Sequence, residues 1–436
     1  MRHPLPLALA TLLAAATLAL AAACAGGLSR ADGGGGGPTT IASQGSNVVA
    51  TWDEIANATA TMPPSPAGAT PEERRPGPDI ATVHLAIYDA VISIDGGRRP
   101  FAARPTTPVS GASQDAAATE AAYRVLKGLF PSRSEKYQAA YDSGMAAIPA
   151  GDAKSRGIAI GAEAAAAILA LRANDGRIVE LPPYAAGTRA GDFRGANPIN
   201  RHLPSIRPFT LREPAQFRPA GPSPRASSRY AQDWAEVASL GASASTTRSA
   251  AQLEVARFHT ERPDLFWARN LHRFSTSQAT LADNARLMAV LWVSFQDAVD
   301  ACFEAKYRYN AWRPLTAIPQ ADPGENPATR PDPAWTPVLP TPNHPEYPAA
   351  HGCASGAVAE SLRLFFGTTR VAFDMDSTAS GTTHHFDSTT AFLAELANAR
   401  VWGGMHFRQS LEDGQALGRD VARWVAPRFG VQARDQ

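Results

Sequence analysis

The sequence predicts an all-α protein made of two consecutive helical bundles. From residue 48 onward, apolar residues recur at spacings of three and four, and no alternating strand of convincing length interrupts them. A Pro-, Arg- and Gly-rich connection at residues 180–230 separates two groups of such segments. The chain has 436 residues, 44% of them hydrophobic, which is enough for a sizeable core. We therefore expect one bundle over residues 48–245 and a second over residues 246–432.

Residues 1–24 have the layout of an export signal. Arg2 precedes an Ala- and Leu-rich stretch that ends in three alanines before Cys24. This ending resembles a bacterial lipobox, in which Cys24 would be lipidated, and a membrane-spanning anchor is the alternative. Residues 25–47 follow as a flexible Gly/Ser/Thr tether. We expect an exported protein, either a periplasmic or cell-surface lipoprotein or a secreted protein, whose only membrane contact is a lipid on Cys24.

The helices of the first bundle are predicted from their apolar stripes. Residues 81–94 place five apolar side chains on one helical face: Val83, Ile87, Ala90, Val91 and Ile94. Residues 116–129, 134–148 and 152–173 repeat this pattern, and the last two follow residues typical of helix starts.

The second bundle is predicted in the same way. Residues 281–307 carry apolar side chains at spacings of three and four, namely Leu287, Leu291, Phe295, Ala298 and Cys302. Shorter helices are expected to end near Gly367 and at Arg400. A further helix is expected to start at a capping box in residues 410–413 and to run through Trp424.

The composition excludes several functional classes. The 41 basic and 40 acidic residues give a net charge of +1, and no basic patch indicates a nucleic-acid partner. The three cysteines, Cys24, Cys302 and Cys353, are too few for a disulfide scaffold and lack the paired spacing of a zinc finger. Small-molecule substrates are therefore favoured, and the sequence leaves the oligomeric state open.

The first candidate site segment runs from Lys306 to Pro314. Lys306 lies four residues after Cys302 on a predicted buried stripe, where an ammonium group needs a negative partner. Only four of the 41 basic residues are Lys, which indicates a specific role for this one. Pro314 disfavours helical geometry at Arg313, so the helix is expected to end there and present a guanidinium group. Salt bridges with acidic neighbours are the alternative.

The second segment is centred on His351. The helical pattern that follows places this histidine at or just before a helix start. Backbone N–H groups and the positive end of the helix dipole are available there to an oxyanion. A local role at the helix start is the alternative for this histidine.

The third segment contains Arg400 and His406. Arg400 lies at the end of a helical pattern, and Gly403 and Gly404 interrupt that pattern. His406 is therefore predicted on a connector between two helices, where catalytic groups are commonly displayed.

Together the three segments resemble a known three-part signature. It consists of Lys, six residues and Arg-Pro; then Pro-x-x-His; then Arg, five residues and His. This signature is shared by vanadium-dependent haloperoxidases and the type 2 phosphatidic acid phosphatase superfamily. The order and both internal spacings match, and the similarity to bacterial haloperoxidases extends over nearly all of residues 48–430.

The resemblance implies an oxyanion site with a division of roles. Lys306, Arg313 and Arg400 would compensate the charge of bound vanadate or phosphate. His406 would be the axial ligand to vanadium or, with phosphate, the nucleophile that forms a phosphohistidine. His351 would be the acid–base group.

The resemblance favours a vanadate-dependent haloperoxidase that oxidises halide with hydrogen peroxide. The main alternative is a phosphatidic acid phosphatase-like enzyme that hydrolyses phosphate esters in the same pocket. Further alternatives are a non-catalytic binding lipoprotein and a divalent-metal hydrolase with ligands from His344, Glu346, His351, His384 and His385. The last two histidines are most simply interpreted as part of an exposed polar loop.

The sequence departs from the family pattern in two of the three segments. Ala349 and Ala350 replace the Ser-Gly pair of the second segment, so a serine donor to the anion is missing. Ser410 stands four residues after the axial histidine, where many relatives have Asp. Asp413 or Glu412 is then the candidate to orient that histidine.

Cys302 and Cys353 lie near Lys306 and His351 in the chain. If those two site residues meet one anion, the thiols come close enough to form a disulfide in an oxidising compartment. Two separately buried thiols are the default expectation.

Overall fold

The computed structural model describes residues 37–41, 45–62 and 75–432. The predicted export signal, Cys24 and most of the predicted tether lie outside these described residues. Within the described ranges, no helix combines the length and the apolar character needed to cross a membrane.

In the described part of the chain, five helices precede the long connection. They are α1 (Val48–Ala60), α2 (Pro76–Asp95), α3 (Gln114–Leu129), α4 (Ser134–Ala146) and α5 (Asp152–Arg172). Polar side chains fix two of the starts, since Asn47 accepts a hydrogen bond from the N–H of Ala50 and Ser113 accepts one from the N–H of Ala116.

Eight described helices follow the connection. They are α6 (Ser228–Leu240), α7 (Ala250–Phe258), α8 (Pro263–Leu271), α9 (Leu281–Tyr309), α10 (Pro314–Ala317), α11 (Ala350–Phe366), α12 (Thr389–Trp402) and α13 (Arg408–Val425). The apolar stripe predicted for residues 281–307 lies on the long helix α9, whose side chains Leu287, Leu291 and Cys302 are fully buried.

One continuous apolar core joins helices from both predicted bundles. Helices α2 and α9 pack against each other, and Val83 and Ile87 of α2 share this core with Leu287 and Leu291 of α9. Full burial of one such side chain contributes about 1.5–3 kcal/mol. The predicted helical fold class is confirmed, and the boundary at residue 245 stays a prediction.

A small sheet corrects the expectation that the chain has no strands. Strand β1 (Thr39–Thr40) pairs in parallel with β2 (Val371–Ser377), which pairs antiparallel with β3 (Thr382–Phe386). The N–H of Thr39 donates to the carbonyl oxygen of Arg370 at 2.7 Å. Residues 39–40 are therefore held in a sheet, although they fall within the predicted flexible tether.

The connection between α5 and α6 is irregular, as predicted. The buried carboxylate of Asp297 on α9 accepts hydrogen bonds from the backbone N–H groups of Phe209 at 2.7 Å and Thr210 at 2.8 Å. These bonds attach the connection to α9. Ile199, Asn200, His202 and Leu203 of the connection line a cleft that also contains His351.

The end of α9 differs slightly from the prediction. The helix ends at Tyr309, and Asn310 adopts a left-handed conformation with φ 49°. The N–H of Asn310 donates to the carbonyl oxygen of Lys306 at 2.8 Å, which closes the last turn. Arg313 is extended, with ψ 158°, as the following proline dictates.

Helices α11 and α13 pack with their backbones in close approach. A Cβ atom at Gly356 of α11 would lie 2.6 Å from the carbonyl oxygen of Gln415, and one at Gly418 of α13 would clash with the carbonyl oxygen of Cys353. Glycine is therefore required at both contacts. This packing fixes the start of α11 relative to the connector before α13.

Cys302 of α9 and Cys353 of α11 form a disulfide with their Cα atoms 6.2 Å apart. Both residues are fully buried. The default expectation of two separate thiols is therefore wrong, and the bond links the helix that carries Lys306 to the helix that carries His351.

Candidate functional site

The five site residues predicted from the sequence lie in buried positions, none more than 9% exposed. Lys306 lies in the last turn of α9, and Arg313 lies directly before α10. His351 lies in the first turn of α11, Arg400 in the last turn of α12, and His406 on the connector to α13. Their roles stay predictions.

Main-chain carbonyl oxygens hold the first two cations. Lys306 Nζ donates to the carbonyl oxygens of Pro345 at 2.9 Å and Glu346 at 3.0 Å. Arg313 donates from Nε to the carbonyl oxygen of His344 and from Nη1 to that of Met405, each at 2.9 Å. These bonds fix both positive groups without neutralising them.

The third cation, Arg400, is only partly satisfied. Its Nη1 donates to the carbonyl oxygen of His259 at 2.7 Å. Its Nε and Nη2 are buried and have no hydrogen-bond partner among the described residues. Buried donors without partners are costly, so this guanidinium requires an acceptor that the described residues do not supply.

The electrostatics of the site favour an anion. Burial, followed by the charge of Arg313, lowers the pKa of Lys306 well below its usual value. Burial lowers the pKa of Arg313 to about 10, and burial together with Arg313 lowers the pKa of Arg400 to about 9. These directions show that positive charge is disfavoured in the anion-free site, and a bound oxyanion would reverse that effect.

His406 lies between a carboxylate and a guanidinium. Its Nδ1 is 2.9 Å from Glu346 Oε1, and its Nε2 is 2.9 Å from Arg313 Nη1. Burial and the charges of Arg313, Lys306 and Arg400 lower the pKa of His406 well below its usual value. The lowered pKa and the guanidinium donor that faces Nε2 both favour the neutral imidazole.

The structure corrects the interpretation of the residues after His406. Helix α13 already starts at Arg408, so Ser410 is not a capping residue, and its hydroxyl donates to Glu346 Oε2 at 2.6 Å. Glu412 pairs with an arginine at the surface, and Asp413 accepts from a tyrosine hydroxyl. Neither Glu412 nor Asp413 contacts His406, and the carboxylate that does is Glu346.

His351 is held by one backbone group. Its Nε2 is 2.8 Å from the carbonyl oxygen of Glu261. Burial, followed by the charge of Arg400, lowers the pKa of His351 well below its usual value. Because a carbonyl oxygen can only accept, Nε2 donates, and Nδ1 of the neutral ring is left as an acceptor.

Two clefts, here called the front and the rear cleft, each reach a different part of the site and share no lining residue. The front cleft is largely apolar, and its lining includes Phe295, Val299, Phe303, His344 and His351. The rear cleft is lined by a different set that includes Tyr230, Trp312, Glu346, Phe407 and Ser410. His351 is therefore accessible from the front cleft and the carboxylate of Glu346 from the rear cleft, and neither cleft is lined by the three cations or by His406.

The residues proposed for a divalent metal do not assemble. His384 and His385 lie on β3 rather than in a polar loop, and His384 contacts Glu395 and Glu254. Within residues 37–41, 45–62 and 75–432, no three or more His, Cys, Asp or Glu side chains are arranged to hold a metal ion. The structure does not favour the divalent-metal alternative.

Replacing Arg400 by alanine is expected to weaken the binding of inorganic phosphate while the protein still folds. Loss of a preorganised donor in a dry site costs about 2 to 4 kcal/mol. Titration calorimetry with phosphate measures this loss. Arg423→Ala is the matched control, because Arg423 is 53% exposed and pairs with Glu360. Equal phosphate affinity in Arg400→Ala and the wild type would contradict the oxyanion site.

The chain resembles proteins of known structure. Residues 286–432 match the family model of the VCPO second helical-bundle domain. A bacterial vanadium-dependent iodoperoxidase superposes with a TM-score of 0.69 and 23% identity, over 89% of this chain and 97% of that chain. Two structures of a bacterial vanadium-dependent chloroperoxidase each give a TM-score of 0.62 and 16% identity. The apo form matches over 86% of this chain and 98% of that chain. The holo form matches over 88% of this chain and 97% of that chain. No protein with a curated description matches the chain by sequence.

Proposed function

We propose, on the premise that the chain belongs to the vanadium haloperoxidase family, that it uses vanadate and hydrogen peroxide to oxidise a halide. The observation that carries this proposal is the unsatisfied guanidinium of Arg400, buried with two other cations. A tetrahedral oxyanion supplies acceptors for the two unpartnered donors of Arg400 and negative charge for all three groups.

The residues present fit vanadate. Lys306, Arg313 and Arg400 would hold its oxygens, and His406 would ligate it through Nε2. Bound vanadate would supply the electrophilic centre that activates hydrogen peroxide toward the halide. The neutral state of His406 suits this role, because a protonated imidazole has no lone pair for a metal.

His351 is the residue placed to move a proton. The overall reaction, H₂O₂ + X⁻ + H⁺ → HOX + H₂O, consumes one proton. Nδ1 of His351 is left free to accept, because Nε2 donates to the carbonyl oxygen of Glu261. The ring lines the front cleft, so it meets substrates that enter there. The apolar lining formed by Phe295, Val299 and Phe303 restricts water around the reacting groups.

Activity measurements on one preparation test this function. Oxidation of iodide or bromide by hydrogen peroxide should depend on added vanadate, and inorganic phosphate should inhibit it by competing for the same cations. Hydrolysis of a chromogenic phosphate ester is the second arm. Ester hydrolysis without any vanadate-dependent oxidation would favour the phosphatase alternative and contradict the proposal.

Export is also part of this proposal. The sequence of residues 1–24 supports it, and so does the buried disulfide between Cys302 and Cys353, because such bonds persist in oxidising compartments. Fractionation of the native host should find the processed protein outside the cytoplasm. Full-length protein in the cytoplasmic fraction would contradict export.

A further inference from the structure

The carboxylate of Glu346 contacts the Nδ1 side of the His406 ring at 2.9 Å. Besides the ring Nδ1, it accepts hydrogen bonds from the N–H of Phe407 at 3.0 Å and from the hydroxyl of Ser410 at 2.6 Å. The residue is 2% exposed. One carboxylate therefore fixes both the ring of His406 and the start of the helix that follows it.

The contacts of His406 define its tautomer. The carboxylate oxygen of Glu346 is an acceptor, so Nδ1 carries the proton. Arg313 Nη1 is a donor, so Nε2 carries the lone pair. The lone pair that a metal ligand or a nucleophile needs is thus directed toward the cations of the site.

Glu346 is placed to position another group rather than to react. Its side chain lines the rear cleft, whereas His344 and His351 line the front cleft. Ser410, which stands where many relatives have an aspartate, donates to Glu346 and supplies no negative charge of its own. The negative charge on this side of His406 therefore comes from the second segment of the signature.

We infer that Glu346, held by Ser410 and the N–H of Phe407, is the positioning residue that keeps His406 in the Nδ1–H form and presents its Nε2 lone pair to a bound oxyanion. This inference rests on the proposed function for its catalytic consequence. The tautomer and the anion affinity can be measured without any turnover. Partners of this kind typically change affinity or activity by about 10- to 100-fold.

The direct test is ¹⁵N NMR of the histidine side chains in the anion-free protein. His406, assigned by comparison with His406→Ala, should be the Nδ1–H tautomer in the wild type. Glu346→Ala should shift the ring to a mixture of tautomers. Glu346→Gln keeps the shape of the side chain and is the substitute variant if Glu346→Ala does not fold. It should also lower the fraction of the Nδ1–H tautomer. An unchanged tautomer in the folded variants would overturn the inference.

Binding of inorganic phosphate gives a second readout. Loss of Glu346 should affect phosphate affinity in the opposite direction to the loss of a cation such as Arg400. Removing the negative charge of Glu346 should leave phosphate affinity equal or higher, while vanadate-dependent oxidation falls by about 10- to 100-fold. Loss of phosphate affinity in Glu346→Gln would indicate a collapsed site and would overturn the positioning role.

A second substitution provides a rescue. Ser410 Oγ lies 2.6 Å from Glu346 Oε2, so an aspartate at position 410 brings a carboxylate into the same region. Ser410→Asp alone should lower activity, because two carboxylates then face each other. Combined with Glu346→Ala, it should restore part of the lost activity and the Nδ1–H tautomer. A double variant no better than Glu346→Ala would overturn the inference.

Glu412→Gln is the matched control. This carboxylate lies on the same helix as Ser410, is 52% exposed and pairs with Arg229, and its loss should change neither the tautomer nor the rate. If the wild type shows no vanadate-dependent oxidation, the proposed function fails. The tautomer and the phosphate affinity then still decide the role of Glu346.

Discussion

Replacing His406 by alanine is expected to abolish vanadate-dependent oxidation of halide while the fold and the binding of inorganic phosphate remain. Under the proposed function His406 is the residue that would ligate vanadium, so its loss would remove the bond between the protein and the metal. Lys306, Arg313 and Arg400 stay in place, because carbonyl oxygens hold them. Peroxide-dependent halide oxidation, phosphate titration and circular dichroism measure the three properties on one sample.

The control for this experiment is His385→Ala. His385 lies on β3 with its side chain 59% exposed and contacts Asp374 and Asp387. Its loss is expected to leave oxidation unchanged. A His406→Ala variant that oxidises halide at the wild-type rate would contradict the central assignment, whatever the behaviour of the other residues.

Of the substitutions proposed, removal of the disulfide is expected to cause the largest loss of stability. The bond joins residues 51 positions apart, and for a closed loop of this size the chain-entropy model gives about 4 kcal/mol. Replacing Cys302 and Cys353 together by alanine should lower the free energy of unfolding by about this amount. Denaturant titration followed by circular dichroism measures the change.

The matched control for the disulfide is Ser361→Ala. Ser361 is fully buried on α11, and its hydroxyl has no hydrogen-bond partner among the described residues. Removing that hydroxyl deletes one buried atom without opening a cross-link, so stability should stay close to that of the wild type. A double alanine variant as stable as Ser361→Ala would show that the disulfide contributes little.

The helices and the five site positions could be predicted because both depend on short-range patterns. Apolar stripes at spacings of three and four place α9, and the position of Pro314 accounts for the extended geometry of Arg313. The connector position of His406 follows from Gly403 and Gly404, which end the preceding helical pattern. These features need no knowledge of distant contacts.

Features that depend on distant pairs could not be predicted. Glu346 and His406 are 60 residues apart, so nothing in their spacing indicates that they form a pair. Ser410 fits a capping pattern by residue type, although its hydroxyl is used by that same carboxylate. The strand β2 has seven residues and only brief alternation, so its pairing with β3 becomes visible only in three dimensions.

The three cations are held by main-chain carbonyl oxygens, and this has a consequence for how the protein can change. Lys306 uses the carbonyls of residues 345 and 346, Arg313 those of 344 and 405, and Arg400 that of 259. Every amino acid supplies a carbonyl, so a substitution at 259 or 405 that leaves the backbone in place keeps the acceptor of Arg400 or Arg313. The acceptors that hold these cations therefore depend on the course of the backbone and not on the identity of the side chains at these positions.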